Sequence, residues 1–297
     1  MNQPIELRKS RDFGQIISDS FTFLRENLKP LFRSLLIICG LFILIGTVTS
    51  VAQYMSTVGL YSGALNVNSN DTYQVSSYTY SYFGTVLFNL LITLLLEAFI
   101  HLATLSYLAV YLQKNNQQPT FEEVWGYFRF YFFRVLGSSI LLFLLIGVGF
   151  CLCLIPGIYL AIVFYLVIPI IVMENTSFSY AFNKSFQLIK ENWWFVFGVI
   201  FVISLIVGVI NSVASVPLAI IPVAARFISQ KPYTLPLIVF FSLLKNLLML
   251  SYALPTIAIA MCYFKLSEEK EGIGLLGRIE NFGKTTDEGP NLPSEEY

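Results

Sequence analysis

The chain has 297 residues, of which 56% are hydrophobic and only 12% are charged. Soluble domains carry about 25% charged residues, so this composition argues against a soluble globular protein. The 18 basic and 18 acidic residues balance, which removes the electrostatic case for binding nucleic acid.

Several apolar runs are long enough to cross a bilayer, which takes about 20 helical residues. We predict an all-α polytopic membrane domain over 31–264 with six spans, at about 31–55, 83–112, 133–154, 157–173, 194–221 and 235–264. Only IPG at 155–157 separates the third and fourth spans, and its proline and glycine predict a tight hairpin turn.

Lys and Arg residues are distributed unevenly between the two sides of the predicted membrane domain. Fifteen flank the spans on the side of the termini, whereas only Arg226 and Lys231 lie on the other side. This asymmetry predicts a cytoplasmic (inner) membrane protein with both termini in the cytoplasm. A signal peptide cleaved after SVA at 50–52 is the alternative for the first span, but the charged region before it is far longer than an ordinary n-region.

A polar phrase occurs twice, as SFTFLRENLK at 20–29 and SFQLIKENWW at 185–194. The segments around it, 12–29 and 178–193, place apolar residues on one face and polar residues such as Lys184 on the other. Each predicts an amphipathic helix in the headgroup region. A weaker copy lies at 121–134.

The repeats predict three parallel units, each an interfacial helix followed by two spans, starting at about 12, 120 and 177. The inverted repeats of many secondary transporters need an odd number of spans per unit, which disfavours that class. The repeated phrase then has two explanations: it is architecture, or it is a surface that lipid headgroups or a cytoplasmic partner recognise.

The segment PIIVMENTSFSYAFNKSFQLIKENWW at 169–194, together with the IPG turn, resembles the signature region of a bacterial six-span family. That family is the membrane domain fused to some glycerophosphoryl diester phosphodiesterases, with its stand-alone relatives. The matching positions are Pro156, Gly157, Pro169, Glu174, Ala181, Ser185 and Trp193. The resemblance implies coverage of about 10–265, and we expect a stand-alone member without the catalytic barrel and without phosphodiesterase activity.

Motifs of soluble enzyme chemistry do not occur in the sequence. It contains one histidine and no HExxH, GxSxG, Walker-type or dinucleotide-binding pattern. No set of nucleophile, base and orienting group is apparent. We therefore expect no enzymatic activity, no cofactor and no metal site.

Glu97 and His101 lie one helical turn apart in LLLEAFIHLATL, in the second predicted span. A charged carboxylate at the bilayer centre costs about 2.5 to 3.5 kcal/mol and often marks a functional site. Lys245, beside Asn246 in the sixth span, lies ~6 Å from Glu97 in depth at 1.5 Å per residue, so a bridge is possible. We consider two hypotheses: a buried pair that fixes packing, or a polar cavity for an ion, proton or headgroup.

Three remaining segments carry weaker predictions. The tyrosine-rich loop 56–82 contains YTYSY, whose alternation predicts a short extended segment or hairpin that either meets an envelope partner or lines the interface. We expect Cys151 and Cys153 to be small buried apolar residues. We expect the polar tail 265–297 to be disordered.

The sequence favours a non-enzymatic integral membrane protein that organises lipids or protein partners in the bacterial cytoplasmic membrane. The alternative is a transporter or channel that uses Glu97, His101 and Lys245. A continuous polar cavity reaching Glu97 from one face would favour transport. A packed interior with an exposed groove beside the interfacial helices would favour the organising role.

Overall fold

The computed structural model describes residues 5–65, 72–224 and 234–272, and within these ranges it is helical with no strand. A 3-10 turn, Met249–Tyr252, joins the last two of its α-helices. The α-helices are α1 (Phe13–Glu26), α2 (Leu28–Leu65), α3 (Thr72–Gln113), α4 (Phe121–Leu152), α5 (Leu154–Tyr165), α6 (Val167–Glu174), α7 (Phe178–Ile189), α8 (Trp193–Ala224), α9 (Thr234–Leu248) and α10 (Ala253–Glu271).

Six segments of the described chain are long and apolar enough to span a membrane, which confirms the predicted fold class. They are Leu28–Thr57, Thr79–Gln113, Phe121–Cys151, Leu154–Glu174, Trp193–Ile221 and Leu235–Glu271. The fourth span consists of α5 and α6, and the sixth consists of α9, the 3-10 turn and α10. The protein is therefore a multi-pass membrane protein.

The spans pack as three consecutive hairpins. α2 packs against α3, α4 packs against α5, and α8 packs against α9 and α10. α3, α6 and α10 also contact one another, so the later span of each hairpin lies towards the middle of the bundle. Most of α10 is buried, which makes it the centre of the core.

Each hairpin unit begins with the same kind of helix start. Asp12, Thr120 and Ser177 are the extended N-cap residues of α1, α4 and α7, and a phenylalanine follows each of them. Such side chains accept hydrogen bonds from N–H groups that have no partner inside the helix. At α1, Asp12 Oδ1 accepts from the N–H of Gln15 at 2.7 Å. These caps were not predicted, although a cap residue precedes a phenylalanine at all three places.

The second unit differs from the prediction because it has no separate interfacial helix. α4 runs unbroken from Phe121 to Leu152, since the Arg-Glu-Asn ending that closes α1 is missing there. The burial pattern nevertheless repeats: Ile16, Val124 and Ala181, each three residues after its phenylalanine, have no exposed surface. The weaker copy at 121–134 is thus part of a membrane span.

The hairpin turn between α4 and α5 lies two residues earlier than predicted. Cys153, with φ −169° and ψ 150°, closes α4 and opens α5, whereas Pro156 lies in the first turn of α5. Proline is tolerated there because N–H groups in a first helical turn have no helical partner. Cys151 and Cys153 are exposed, so the prediction that they are buried is wrong.

Gly157 is required by the close approach of α5 to α4. A Cβ atom at this position would lie 2.7 Å from the ring of Phe150 and 3.0 Å from its Cα atom. The backbone of α4 thus leaves no space for a side chain at residue 157. This contact explains why the hairpin carries glycine here.

Two segments predicted to be non-helical are helical. α2 continues to Leu65 and α3 begins at Thr72, so YTYSY at 78–82 is helical rather than extended, and 66–71 lie outside the described residues. α10 continues to Glu271, and Lys265 pairs with Glu269 one turn later at 2.6 Å, a spacing that stabilises helices. The rest of the predicted disordered tail, 273–297, lies outside the described residues.

Candidate functional site

A cavity of about 260 Å³ lies between α3, α4, α5, α6 and α10. This volume lies just below the range of small-molecule sites, which is roughly 300–1,000 Å³. All the side chains that line it belong to membrane-spanning segments, and most are apolar. The cavity is therefore a site within the membrane-embedded part of the protein.

The cavity lies where two spans are interrupted by proline. Pro169 is the third residue of α6, and Pro255 is the third residue of α10. Because proline has no N–H, it cannot donate the helical hydrogen bond to the carbonyl four residues earlier, which is Tyr165 in the first case. Pro169 and Tyr165 line the cavity, as does Thr256, the neighbour of Pro255. The breaks in both spans thus shape the cavity.

The side wall of the bundle is open at this cavity. Phe143 and Tyr165 line it and are 63% and 42% exposed. Phe143 lies well inside the third span and Tyr165 inside the fourth. Side chains exposed at these positions face the hydrocarbon of a bilayer, so the cavity is accessible sideways from lipid.

Glu97 and His101 form the polar end of the cavity. Glu97 Oε1 lies 3.6 Å from His101 Nε2, and the two side chains are 32% and 26% exposed. His101 Nδ1 is hydrogen-bonded to the hydroxyl of Thr256, which also contacts the carbonyl of Tyr252 at 2.9 Å. The structure therefore brings Glu97 and His101 together, as predicted, and adds Thr256, which was not predicted.

Lys245 and Asn246 are not part of this site. They lie on α9, which packs on α2 and α8, whereas Glu97 faces α4 and α5 through the cavity. Among the described residues no ion pair joins Lys245 to Glu97. Glu97 and Lys245 were predicted to lie at similar depths in their spans, but the helix surfaces that carry them do not face each other.

Asn246 belongs to a second polar cluster, between α2, α3 and α9. Its amide lies 3.4 Å from the hydroxyl of Ser50, and the amide of Asn89 donates to Ser50 at 3.1 Å and to Thr49 at 2.9 Å. All four side chains are buried. The cluster joins three helices by hydrogen bonds inside the membrane-spanning region.

A buried ion-pair network joins α6, α7 and α10 at the end of the bundle that carries α1 and α7. Lys184 Nζ lies 2.8 Å from Glu174 and 2.6 Å from Glu271, and Tyr263 donates to Glu174 at 2.6 Å. Burial by itself would lower the pKa of Lys184, but its hydrogen bonds and charge interactions with the two glutamates raise the pKa above its ordinary value. Lys184 is therefore charged at neutral pH.

The seven positions that carry the family resemblance serve mainly in packing. Ala181 and Ser185 are buried in α7, and Trp193 stacks on Tyr159 of α5 with ring centroids 5.9 Å apart. The others lie at the α4–α5 hairpin, in the wall of the cavity and in the network of Lys184; they are Pro156, Gly157, Pro169 and Glu174.

No curated protein sequence and no solved structure matches the chain significantly. Residues 131–276 match the family model described as the membrane domain of glycerophosphoryl diester phosphodiesterase. The match contains all seven resembling positions and begins within α4, later than the start near residue 10 that the resemblance implied. Over residues 131–276, just under half of the chain, the protein is therefore similar to the membrane domain of glycerophosphoryl diester phosphodiesterase.

Proposed function

We propose that the protein is a non-enzymatic membrane protein that binds lipids of the bacterial cytoplasmic membrane through its laterally open cavity and so organises them. One observation carries the proposal: a mostly apolar cavity opens through the side of the bundle at the depth of the hydrocarbon. An acyl chain or another apolar lipid moiety suits such an apolar wall, and it can enter the cavity from the bilayer without passing through water.

The geometry supports lipid binding over the alternative of a transporter or channel. A polar path would have combined Glu97 and His101 with Lys245, but Lys245 lies on α9 and does not line the cavity. The cavity wall beyond Glu97 and His101 consists mainly of side chains such as Leu105, Phe143 and Ile146. Such a wall suits an amphiphile better than a hydrated ion.

The placement of both termini in the cytoplasm is part of the proposal. Fifteen Lys and Arg residues on the side of the termini, against two on the other side, support it. With this orientation the network of Lys184 lies at the cytoplasmic surface, and the turn at Cys153 lies at the opposite surface.

Photocrosslinking with a phospholipid that carries a diazirine in its acyl chain tests the lipid-binding proposal. In vesicles, we expect crosslinks concentrated on the helices around the cavity. Ala161 lines the cavity, so Ala161→Phe should fill it and lower those crosslinks about tenfold, equivalent to about 1.4 kcal/mol of binding. Ser139→Phe fills it from α4 and serves as a second variant should the first fail to fold.

Ala52→Phe is the matched control, because Ala52 lies on the exposed face of α2, outside the cavity. It should leave the crosslinks at the cavity unchanged. Crosslinks spread evenly over all six spans and unaffected by filling the cavity would overturn the proposal.

A further inference from the structure

Thr256 determines which nitrogen of His101 carries the proton. A threonine hydroxyl has one hydrogen to donate, and its oxygen lies 2.9 Å from the carbonyl of Tyr252 one turn earlier. A carbonyl can only accept, so the hydroxyl donates there. Towards His101 the same oxygen must accept, and Nδ1 is therefore protonated. In the neutral imidazole, Nε2 is then left as an acceptor.

The free acceptor of His101 faces a second acceptor, the carboxyl group of Glu97. Their separation of 3.6 Å is longer than a direct hydrogen bond. Both side chains are partly exposed and line the cavity. Among the described residues, no Lys or Arg forms an ion pair with Glu97. The polar end of the cavity thus presents two acceptors, and a hydroxyl placed between them would donate its hydrogen to one of them or share it between both.

The apolar wall and the depth of the site favour an uncharged donor. Transferring an ammonium group from water into an apolar environment costs far more free energy than transferring a hydroxyl. The walls beside the polar end, including Phe143 and Phe164, suit a hydrocarbon chain. A hydroxyl group on a long apolar body supplies a hydrogen to these acceptors and places hydrocarbon against the wall.

We infer that the cavity selects a neutral lipid alcohol, whose hydroxyl donates its hydrogen to Glu97 or His101 while its chain lies along α4 and α5. This inference rests on the proposed lipid-binding function and names the class of lipid. The donor requirement comes from the orientation of the Thr256 hydroxyl and not from the apolar wall, so it can fail while lipid binding stands.

A matched pair of photoreactive probes tests the inference: a long-chain alcohol with a diazirine in its chain, and the methyl ether of the same compound. The ether keeps the chain and the oxygen but cannot donate. In vesicles of the full-length protein, we expect the alcohol to label the cavity about tenfold more than the ether, the effect of an ordinary hydrogen bond.

Substitutions at the polar end should alter this preference and leave the chain contacts intact. Glu97→Leu together with His101→Phe removes both acceptors and should make the alcohol and the ether label equally. Glu97→Gln keeps a carbonyl oxygen and should retain part of the preference. Thr47→Leu, a similar change on α2 away from the cavity, should retain all of it.

The possible failures separate this inference from the proposed function. Equal labelling by alcohol and ether, with both lost in Ala161→Phe, overturns the donor requirement and leaves lipid binding intact. Stronger labelling by the corresponding long-chain amine assigns the site to cations and overturns the inference. Labelling of the cavity by no probe, including the phospholipid, overturns both.

Discussion

Lys184 shows how a residue in an amphipathic helix can be buried by its neighbours. It lies on the face of α7 predicted to be polar, yet it is only 7% exposed because Glu174 and Glu271 enclose its ammonium group. Glu271 lies in the segment that was predicted to be a disordered tail, so its ion pair with Lys184 could not be predicted. The sequence identifies the charged residues, but the extension of α10 decides which of them meet.

We predict that Lys184→Met lowers the free energy of unfolding by about 3 kcal/mol, because it leaves two carboxylates facing each other with no cation between them. Chemical or thermal unfolding in detergent micelles measures the loss. The matched control is Lys190→Met at the C-cap of the same helix, where the lysine is exposed; its effect should stay within about 0.5 kcal/mol. Equal effects of the two substitutions would mean that the network contributes nothing.

At the scale of elements, the repeated phrase is explained by packing. Ser20 and Ser185 have no exposed surface, and each hydroxyl donates to a carbonyl of the preceding turn, at 2.7 and 2.8 Å. Arg25 and Lys190, the repeated basic positions, are exposed. Asn27 accepts a hydrogen bond from Tyr107 of α3 at 2.9 Å. The shared serine therefore fits helices against the bundle, and the shared basic residues remain available at its surface.

Helix packing around Gly46 gives a second prediction. A Cβ atom there would lie 2.5 Å from Asn246 Oδ1, whose side chain is buried in the cluster that joins α2, α3 and α9. Gly46→Ala should therefore destabilise the protein by about 1–3 kcal/mol through overpacking. Loss of thermal stability in micelles measures it.

Gly40, on the same helix, is the matched control. A Cβ atom at Gly40 meets nothing within 4 Å, so Gly40→Ala should be neutral or stabilising by up to about 1 kcal/mol through helix propensity. A stabilising effect of Gly46→Ala would show that α2 and α9 can separate there without cost.

For the whole molecule, the three units form a closed ring. α1 of the first unit packs on α8 and α10 of the third, and α7 of the third packs on α5 and α6 of the second. α4 packs on α3, with the rings of Phe99 and Phe128 5.3 Å apart. The first helical segment of each unit thus contacts the unit before it, and α1 closes the ring.

The sequence predicts that the units repeat along the chain. It does not predict that they close into a ring or that they enclose a cavity. Apolar run lengths and the repeated phrase are local signals, so the six spans and the helices α1 and α7 could be predicted. The position of Thr256 beside His101 depends on how α10 packs on α3 after the break at Pro255. No spacing within the sequence encodes a contact between residues 155 positions apart.

The orientation of the ring in the membrane can be tested with its own cysteines. Cys39 and Cys262 are buried, whereas Cys153 is exposed at the α4–α5 turn, at the end opposite to Lys190. In a Cys151→Ser background, a membrane-impermeant maleimide should label Cys153 from outside intact cells stripped of their outer layers. Adding Lys190→Cys should create a second site that is labelled only in inside-out vesicles, because the orientation proposed from the 15 basic residues places that end in the cytoplasm. The opposite pattern would invert the bundle, and the network of Lys184 would then lie at the outer surface.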